Sequence, residues 1–155
     1  MTPSRLLRTI SIVEACTWAF LLLAMLAKYV VAPELGRFLV PFAGAAHGTA
    51  FLAYLWFGLV LAANGRWPWR AVVLGALSSV PPFTTLLFDW WAERRGYLAT
   101  GWLPEDSPAW RPWPLTERMR GVVPWTLAHP ITLTLAIIAA FLFILTPSLG
   151  SALNA

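Results

Sequence analysis

The stretch FLVPFAGAAHGTAFLAYLWFGLVLA, Phe38 to Ala62, decides how this chain is read. It carries no Asp, Glu, Lys or Arg, and at about 1.5 Å per residue it is long enough to cross a ~30 Å hydrocarbon core. Pro41 falls in its opening turn, where a missing backbone N–H is tolerated, and Asn64-Gly65 supplies a stop. Within the run lie His47 and two glycines spaced Gly44-x-x-x-Gly48, a spacing that lets a neighbouring backbone approach closely. A helix of this kind needs neighbours, and the flanking sequence provides them.

The rest of the composition agrees. Of 155 residues, 59% are hydrophobic and 12% charged, with a mean hydropathy of +0.67; a water-soluble globule of this size would expose much of that apolar surface. Ten tryptophans gather at the ends of apolar runs, among them Trp67, Trp69, Trp90, Trp91 and Trp125, as expected of rings that favour the headgroup region. The net charge of +4 comes from basic residues that flank apolar runs rather than forming a patch, so the lipid bilayer and its anionic headgroups are the expected counterpart, not nucleic acid. Cys16, the lone cysteine, has no partner for an intrachain disulfide and reads as a small packing residue.

Upstream, Arg5 and Arg8 precede an apolar run over 9–31. A basic start before a hydrophobic run resembles a signal peptide, but no clear Ala-x-Ala site follows, so it reads as a retained first helix ending before Pro33 and Gly36. Downstream, residues 64–68 can only join antiparallel neighbours. A third apolar run, 69–91, is interrupted by Pro81-Pro82, which removes two backbone donors and is expected to kink the helix. Mixed charges, prolines, Trp102, Trp110 and Trp113 then mark a loop on the bilayer surface. The last apolar run begins near Trp125 and ends before Pro147. The expected fold is an all-α membrane protein, a four-transmembrane-helix antiparallel bundle. Its parts are a 1–95 core with spans 9–31, 38–62 and 69–91, a surface loop over 96–124, and a fourth helix with a short tail in 125–155.

Four spans put Arg5, Arg8, Arg66 and Arg70 on one side and Lys28, Arg37, Arg94, Arg95, Arg111, Arg118 and Arg120 on the other. The positive-inside rule then expects both termini outside the cytoplasm, across a bacterial inner membrane.

Ionisable groups within a bilayer face the bundle interior and find partners, because each costs roughly 2.5–3.5 kcal/mol to insert. Glu14, Trp18, Leu21, Met25 and Lys28 follow helical steps of four and three, as do Ser78, Pro82, Thr85 and Asp89. Antiparallel threading brings Lys28, His47 and Asp89 into one half of the membrane, with Lys28 and Asp89 as the expected ion pair. His47 sits deeper, beside Thr85 or Tyr29, as a hydrogen-bonding link between helices or as part of a proton path. Glu14 falls in the opposite half, answered by Tyr54, Arg70 or an outside partner. Lys28 and Asp89 near helix ends would instead snorkel to the surface. Gly44, Gly48, Pro81 and Pro82 are assigned to helix packing.

Catalytic signatures are absent: His47 and His129 lack metal-ligand spacing, and there is no phosphate-cradling glycine loop or nucleophile elbow. Haem held by both histidines requires the fourth helix to pack on the second with the two at matching depth. No metal or cofactor is implied.

Taken together, Arg5 and Arg8 before a helix with Glu14, Ala24-Met25, Lys28-Tyr29, Gly44, His47-Gly48, Phe51, Tyr54, and Ser79-x-x-Pro82-Phe83-x-Thr85 leading to Asp89 resemble the YdzA-like family of small bacterial integral membrane proteins, a domain of unknown function. The resemblance covers residues 5–95 and implies three spans, leaving the surface loop and last helix as additions. Leu26 stands where the family often has proline and Thr84 where it often has glycine, differences that bear on local helix geometry. The resemblance attaches no activity. The expectation is a non-catalytic accessory or assembly subunit of a larger membrane complex, a respiratory one among the candidates, with other membrane subunits or a second copy as partner. The alternative is a small proton-linked transporter lined by Glu14, His47, Lys28 and Asp89.

Overall fold

A computed structural model describes residues 1–103 and 113–153 of the chain, and among these every regular element is helical. Helix α1, Pro3–Leu26, begins with Thr2 as its cap, whose hydroxyl accepts from the Arg5 N–H at 3.4 Å, and with proline in the first position. Its last turn widens into a π-helical segment, Ala27–Val31. Ala32 breaks the chain at φ −150°, and α2, Pro33–Asn64, starts at once. Helix α2 therefore begins before Phe38, and Pro41 lies inside it. The reversal is so tight that a Cβ on Gly36 would collide with the Lys28 backbone. That collision is why glycine is required there.

Three helical stretches are long and apolar enough to cross a membrane: Pro3–Val31, Pro33–Asn64 and Pro130–Gly150. The first two form an antiparallel pair that meets at Thr17 and His47. The third belongs to α7, Pro130–Leu153, which packs on α2 alone of these two. Trp125, just ahead of α7, meets Trp56 with ring centroids 6.3 Å apart, and Ile144 Cδ1 lies 3.2 Å from where a Gly48 Cβ would stand. Helix α7 is thus antiparallel to α2. The end of the bundle holding the start of α1, the end of α2 and the start of α7 is the proximal end; the other is the distal end.

The expected third crossing is replaced by two short helices. Residues 69–91 break at Ser78–Phe83 into α3, Trp69–Leu77, of 9 residues and α4, Thr84–Arg94, of 11. Each is roughly 14–17 Å long, about half a hydrocarbon core. The two limbs fold back on each other. The Phe88 ring of α4 approaches to 2.8 Å the position a Cβ on Gly75 of α3 would take. Trp67, before α3, stacks at 5.9 Å on Tyr97, after α4, and donates its indole N–H to the Tyr97 carbonyl at 2.6 Å. Going inward, α3 follows α2 as far as a 3.0 Å bond between Ser78 Oγ and the Tyr54 hydroxyl. Coming back, α4 follows α1 from Glu14 to Arg8. Both outer ends of this hairpin lie at the proximal end, and its tip reaches the level of Tyr54 and Glu14.

The reversal has a local cause. Pro81-Pro82 withdraws two N–H donors from the turn, and Phe83, at φ +66°, takes a left-handed conformation that redirects the chain instead of merely kinking a helix. Hydroxyls supply further donors to the carbonyls around the break. Ser78 donates to Gly75 and Ser79 to Ala76, each at 2.7 Å, while Thr84 donates to Pro81 at 2.9 Å and also to Ser78. Irregular backbone at this depth requires such internal satisfaction.

The core lies where the hairpin meets α1 and α2, around Leu7, Tyr54, Leu61, Trp67, Ala71 and Phe88. The expected surface loop caps the proximal end as short helices: α5, Pro114–Arg118, a 3₁₀ turn at Met119–Gly121, and α6, Val122–Ala128. Val123 packs on Val60 and Ala63, and the Thr116 hydroxyl reaches the Trp67 carbonyl at 3.3 Å. Trp110 and Arg111 lie outside the described residues. His129 separates α6 from α7 at φ −120°, ψ 53°, so the last span starts at Pro130 rather than near Trp125 and continues through Pro147. Cys16, expected in packing, is exposed.

If the limbs of the hairpin touch at Gly75, Gly75→Leu must displace Phe88 and is expected to destabilise the protein by about 1–3 kcal/mol. Gly44→Ala, at a position with nothing within 4 Å, should be neutral or slightly stabilising. Unfolding followed by circular dichroism in detergent measures both, and equal behaviour of the two variants would show that α3 and α4 are not packed together.

Candidate functional site

Ser11, Glu14 and Trp18 stand at i, i+3 and i+7 on α1, on its inward face. Glu14 is fully buried. One carboxylate oxygen, Oε2, accepts the Thr85 hydroxyl at 2.7 Å, tying α1 to the first turn of α4 just beyond the hairpin tip. The other, Oε1, has no hydrogen-bond partner, nor do Ser11 Oγ and Trp18 Nε1. The indole N–H of Trp18 lies near the carboxylate without the geometry of a completed hydrogen bond. Three unsatisfied polar atoms on one stripe of one helix form the densest such group among the described residues. Buried polar atoms left unpaired cost about 1–3 kcal/mol each, so such a cluster requires an explanation.

No cation lies within ion-pairing distance of Glu14 among the described residues. The nearest guanidinium along α1, Arg8, is engaged elsewhere: its Nε donates to Asp89 Oδ2 at 3.3 Å and its Nη2 to Glu93 Oε2 at 2.7 Å. Asp89 is buried, whereas Arg8 and Glu93 are half-exposed. One arginine thus clasps both carboxylates of the returning limb at the proximal end.

The expected Lys28–Asp89 pair does not form. Because the hairpin turns back, α4 never enters the distal half, and Asp89 meets Arg8 instead. Lys28 lies in the π-helical segment with its ammonium 5.3 Å from the ring centroid of exposed Tyr29. It makes no ion pair among the described residues, the behaviour of a side chain reaching toward the membrane surface. His47 meets neither Thr85 nor Tyr29: its Nδ1 lies 3.3 Å from the Thr17 hydroxyl, and its ring sits 4.1 Å from that of Trp18. Neither Tyr54 nor Arg70 answers Glu14, since Tyr54 bonds Ser78 and Arg70 lies over Trp69. The six expected polar residues, five of them assigned to one half of the membrane and Glu14 to the other, fall at three depths. Arg8–Asp89–Glu93 is proximal, Glu14–Thr85 is central with Thr17–His47 beside it, and Lys28–Tyr29 is distal.

The packing residues also sort differently. Gly48 makes room for Ile144 of α7, but Gly44 faces open space, and Pro81 and Pro82 are exposed at the tip. In the sequence Gly36 reads only as part of a helix stop and Gly75 carries no signal, because the requirement for each depends on what approaches it. Arg8 reads there only as a flanking charge, and Ser11 and Thr17 are not singled out, although each of these two lies three residues from Glu14 on α1.

The two histidines stand apart. His129 stacks on Trp125 at the proximal end, while His47 lies toward the level of Ile144. From 129 to 144 is about 22 Å of helix, so one haem iron cannot take both, although α7 does pack on α2. No group of three His, Cys, Asp or Glu is placed to hold a metal among the described residues.

This is a polytopic helical membrane protein, with its polar groups clasped between helices and capped at one end by short helices. It belongs to the family described as a domain of unknown function, DUF3817, whose model matches residues 4–94. That segment is α1 through α4, so the family unit comprises two long apolar helices and the hairpin rather than the three spans implied by the resemblance. A Streptomyces coelicolor protein, SCO5905, named as an inferred membrane protein, is 42% identical over 99 residues; the match covers 61% of this chain and 12% of that one. This chain thus matches only about an eighth of that relative's length. No solved structure matches the chain.

Double-mutant cycles test the geometry. Glu14→Gln with Thr85→Val should couple by about 0.5–1.7 kcal/mol, the range of hydrogen bonds between membrane helices. Lys28→Met with Asp89→Asn should add to within about 0.5 kcal/mol. A larger coupling for the lysine pair, read from unfolding midpoints in detergent, would restore the expected seam.

Proposed function

We propose that this protein is a non-catalytic accessory or assembly subunit of a larger complex in the bacterial cell membrane. The observation carrying this reading is the division of the ionisable and hydrogen-bonding groups among separate depths. Asp89 and Glu93 are held by Arg8, Thr85 is spent on Glu14, and Lys28 lies over Tyr29 with no ion pair among the described residues. Chemistry or conduction needs such groups in succession from end to end, and here the polar run Ser11, Glu14, Thr17 and His47 is cut off from Lys28 by the wholly apolar stretch 19–27. The Streptomyces relative adds support, since there a segment similar to part of this chain is carried within a far longer chain.

The topology proposed is three crossings, by α1, α2 and α7, with α3–α4 re-entering from the proximal side, in place of four crossings. The termini then lie on opposite faces. Arg5, Arg8, Arg66, Arg70, Arg94, Arg95, Arg118 and Arg120 gather proximally, against Lys28 and Arg37 distally. The positive-inside rule makes the proximal end cytoplasmic. This reverses the N-terminal side expected from four spans, because the hairpin moves Arg94, Arg95, Arg118 and Arg120 across. Fluorescent-protein and alkaline-phosphatase fusions check it: an N-terminal fluorescent fusion should glow and a C-terminal phosphatase fusion should be active, and the opposite pattern would reject this topology.

A second reading, a proton-linked carrier, is favoured by the unpartnered Glu14 Oε1. Gentle detergent extraction with native gels and mass spectrometry separates the two. The subunit reading expects co-migration with other membrane proteins at fixed stoichiometry. Recovery of this chain alone under every condition overturns it, and proton flux in vesicles that is lost in Glu14→Gln then identifies the carrier.

A further inference from the structure

The outward face of the hairpin carries a groove of about 440 Å³ between α3 and α4. Its walls are Leu74 and Leu77 on one limb and Leu87 and Trp91 on the other, and it runs from Trp91 to Pro81 at the tip. Each wall follows a helical stripe, and each stripe ends in an arginine at the proximal end. On α3 the steps from Leu77 through Leu74 lead to Arg70; on α4 the steps from Leu87 through Trp91 lead to Arg95. The two limb ends are held together there by the contact of Trp67 with Tyr97.

Both arginines are exposed, and neither has a carboxylate within ion-pairing distance among the described residues. The acids of α4, Asp89 and Glu93, are engaged by Arg8 on the side facing α1. Arg70 and Arg95 instead lie over tryptophan rings, at 5.6 Å from Trp69 and 5.8 Å from Trp91, at the depth where such rings favour the headgroup region. Stacking leaves the planar guanidinium donors free for an anion. An apolar groove of acyl-chain character, opening toward two cations without an ion pair among the described residues, is complementary to one class of molecule.

We propose that this face binds one anionic phospholipid, its phosphate between Arg70 and Arg95 and one acyl chain in the groove along Leu74, Leu77 and Leu87. The site is built by the hairpin alone and is independent of whether the protein is a subunit or a carrier. Removing two such arginines costs about 25-fold in affinity, roughly fivefold apiece.

The test is native mass spectrometry of the full chain in detergent, titrated with dioleoyl phosphatidylglycerol, dioleoyl phosphatidylcholine or glycerophosphoglycerol. One phosphatidylglycerol should be retained in preference to phosphatidylcholine, and the soluble headgroup should not be retained. Arg70→Gln/Arg95→Gln should lose the preference by about 25-fold, while Arg5→Gln/Arg118→Gln, which removes the same charge elsewhere on the proximal end, should keep it. Leu77→Trp, which fills the groove, should weaken both lipids alike. Helical circular dichroism confirms that each variant is folded. Equal retention of the two lipids by the native chain, or equal loss in the two double variants, overturns the site; retention of the headgroup alone reduces it to a phosphate contact and removes the acyl groove.

Discussion

Two adjacent prolines at the tip of the α3–α4 hairpin take two N–H donors out of the turn, and the rest of the fold follows from how the carbonyls around it are satisfied. In lipid the cost of leaving them bare is several kcal/mol each. Ser78, Ser79 and Thr84 supply three hydroxyls within the turn itself. With those bonds made, the chain is free to reverse, and left-handed Phe83 reverses it. Continuing across the membrane would have required the same donors from neighbouring helices. The turn is thus self-contained, and both limbs can return to the end from which they came.

That reversal changes the partner of every polar residue near it. Thr85 comes opposite Glu14, and Asp89 and Glu93 come opposite Arg8, because α4 runs back along α1. The half-exposed ion pairs at Arg8 contribute little individually, but together with the Trp67–Tyr97 clasp they fix the base of the hairpin. Glu14 is different in kind. It is fully buried and singly bonded, and its neighbours Ser11 and Trp18 are also unsatisfied. A subunit can tolerate such a group as a register device that fixes how α4 lies on α1. A carrier would use it directly.

The arginines tell the same story at the surface. Counted along a four-span thread the basic residues divide four against seven; counted on this fold the described ones other than Lys28 and Arg37 collect at one end. The bundle then has a basic, tryptophan-rich proximal end capped by α5 and α6 and a sparsely charged distal end. The hairpin alone accounts for this, since it brings Arg94, Arg95, Arg118 and Arg120 to the end of the bundle that holds Arg5 and Arg8.

Much of this was legible in the sequence. The length and apolarity of 9–31 and 38–62 dictate membrane helices, since no other structure satisfies their backbone in hydrocarbon. The resemblance carried by Glu14, His47-Gly48 and Ser79-x-x-Pro82-Phe83-x-Thr85 marked the right family over nearly the right residues. Periodicity also placed Glu14 and Trp18 on an inward stripe of α1. What it did not contain was the direction of the chain after Pro82. A helical repeat reads the same whether the segment beyond a break continues or turns back, because spacing along one helix carries no information about its orientation to another. So Lys28–Asp89 looked as reasonable as Arg8–Asp89. Gly75 gave no sign of its role, which depends on Phe88 approaching from a separate limb. The sequence determined that this protein lies in a membrane as helices. Only the packing of α4 against α1 decided which polar groups meet, because partners across helices are set by antiparallel register, a property of pairs of segments and not of either one.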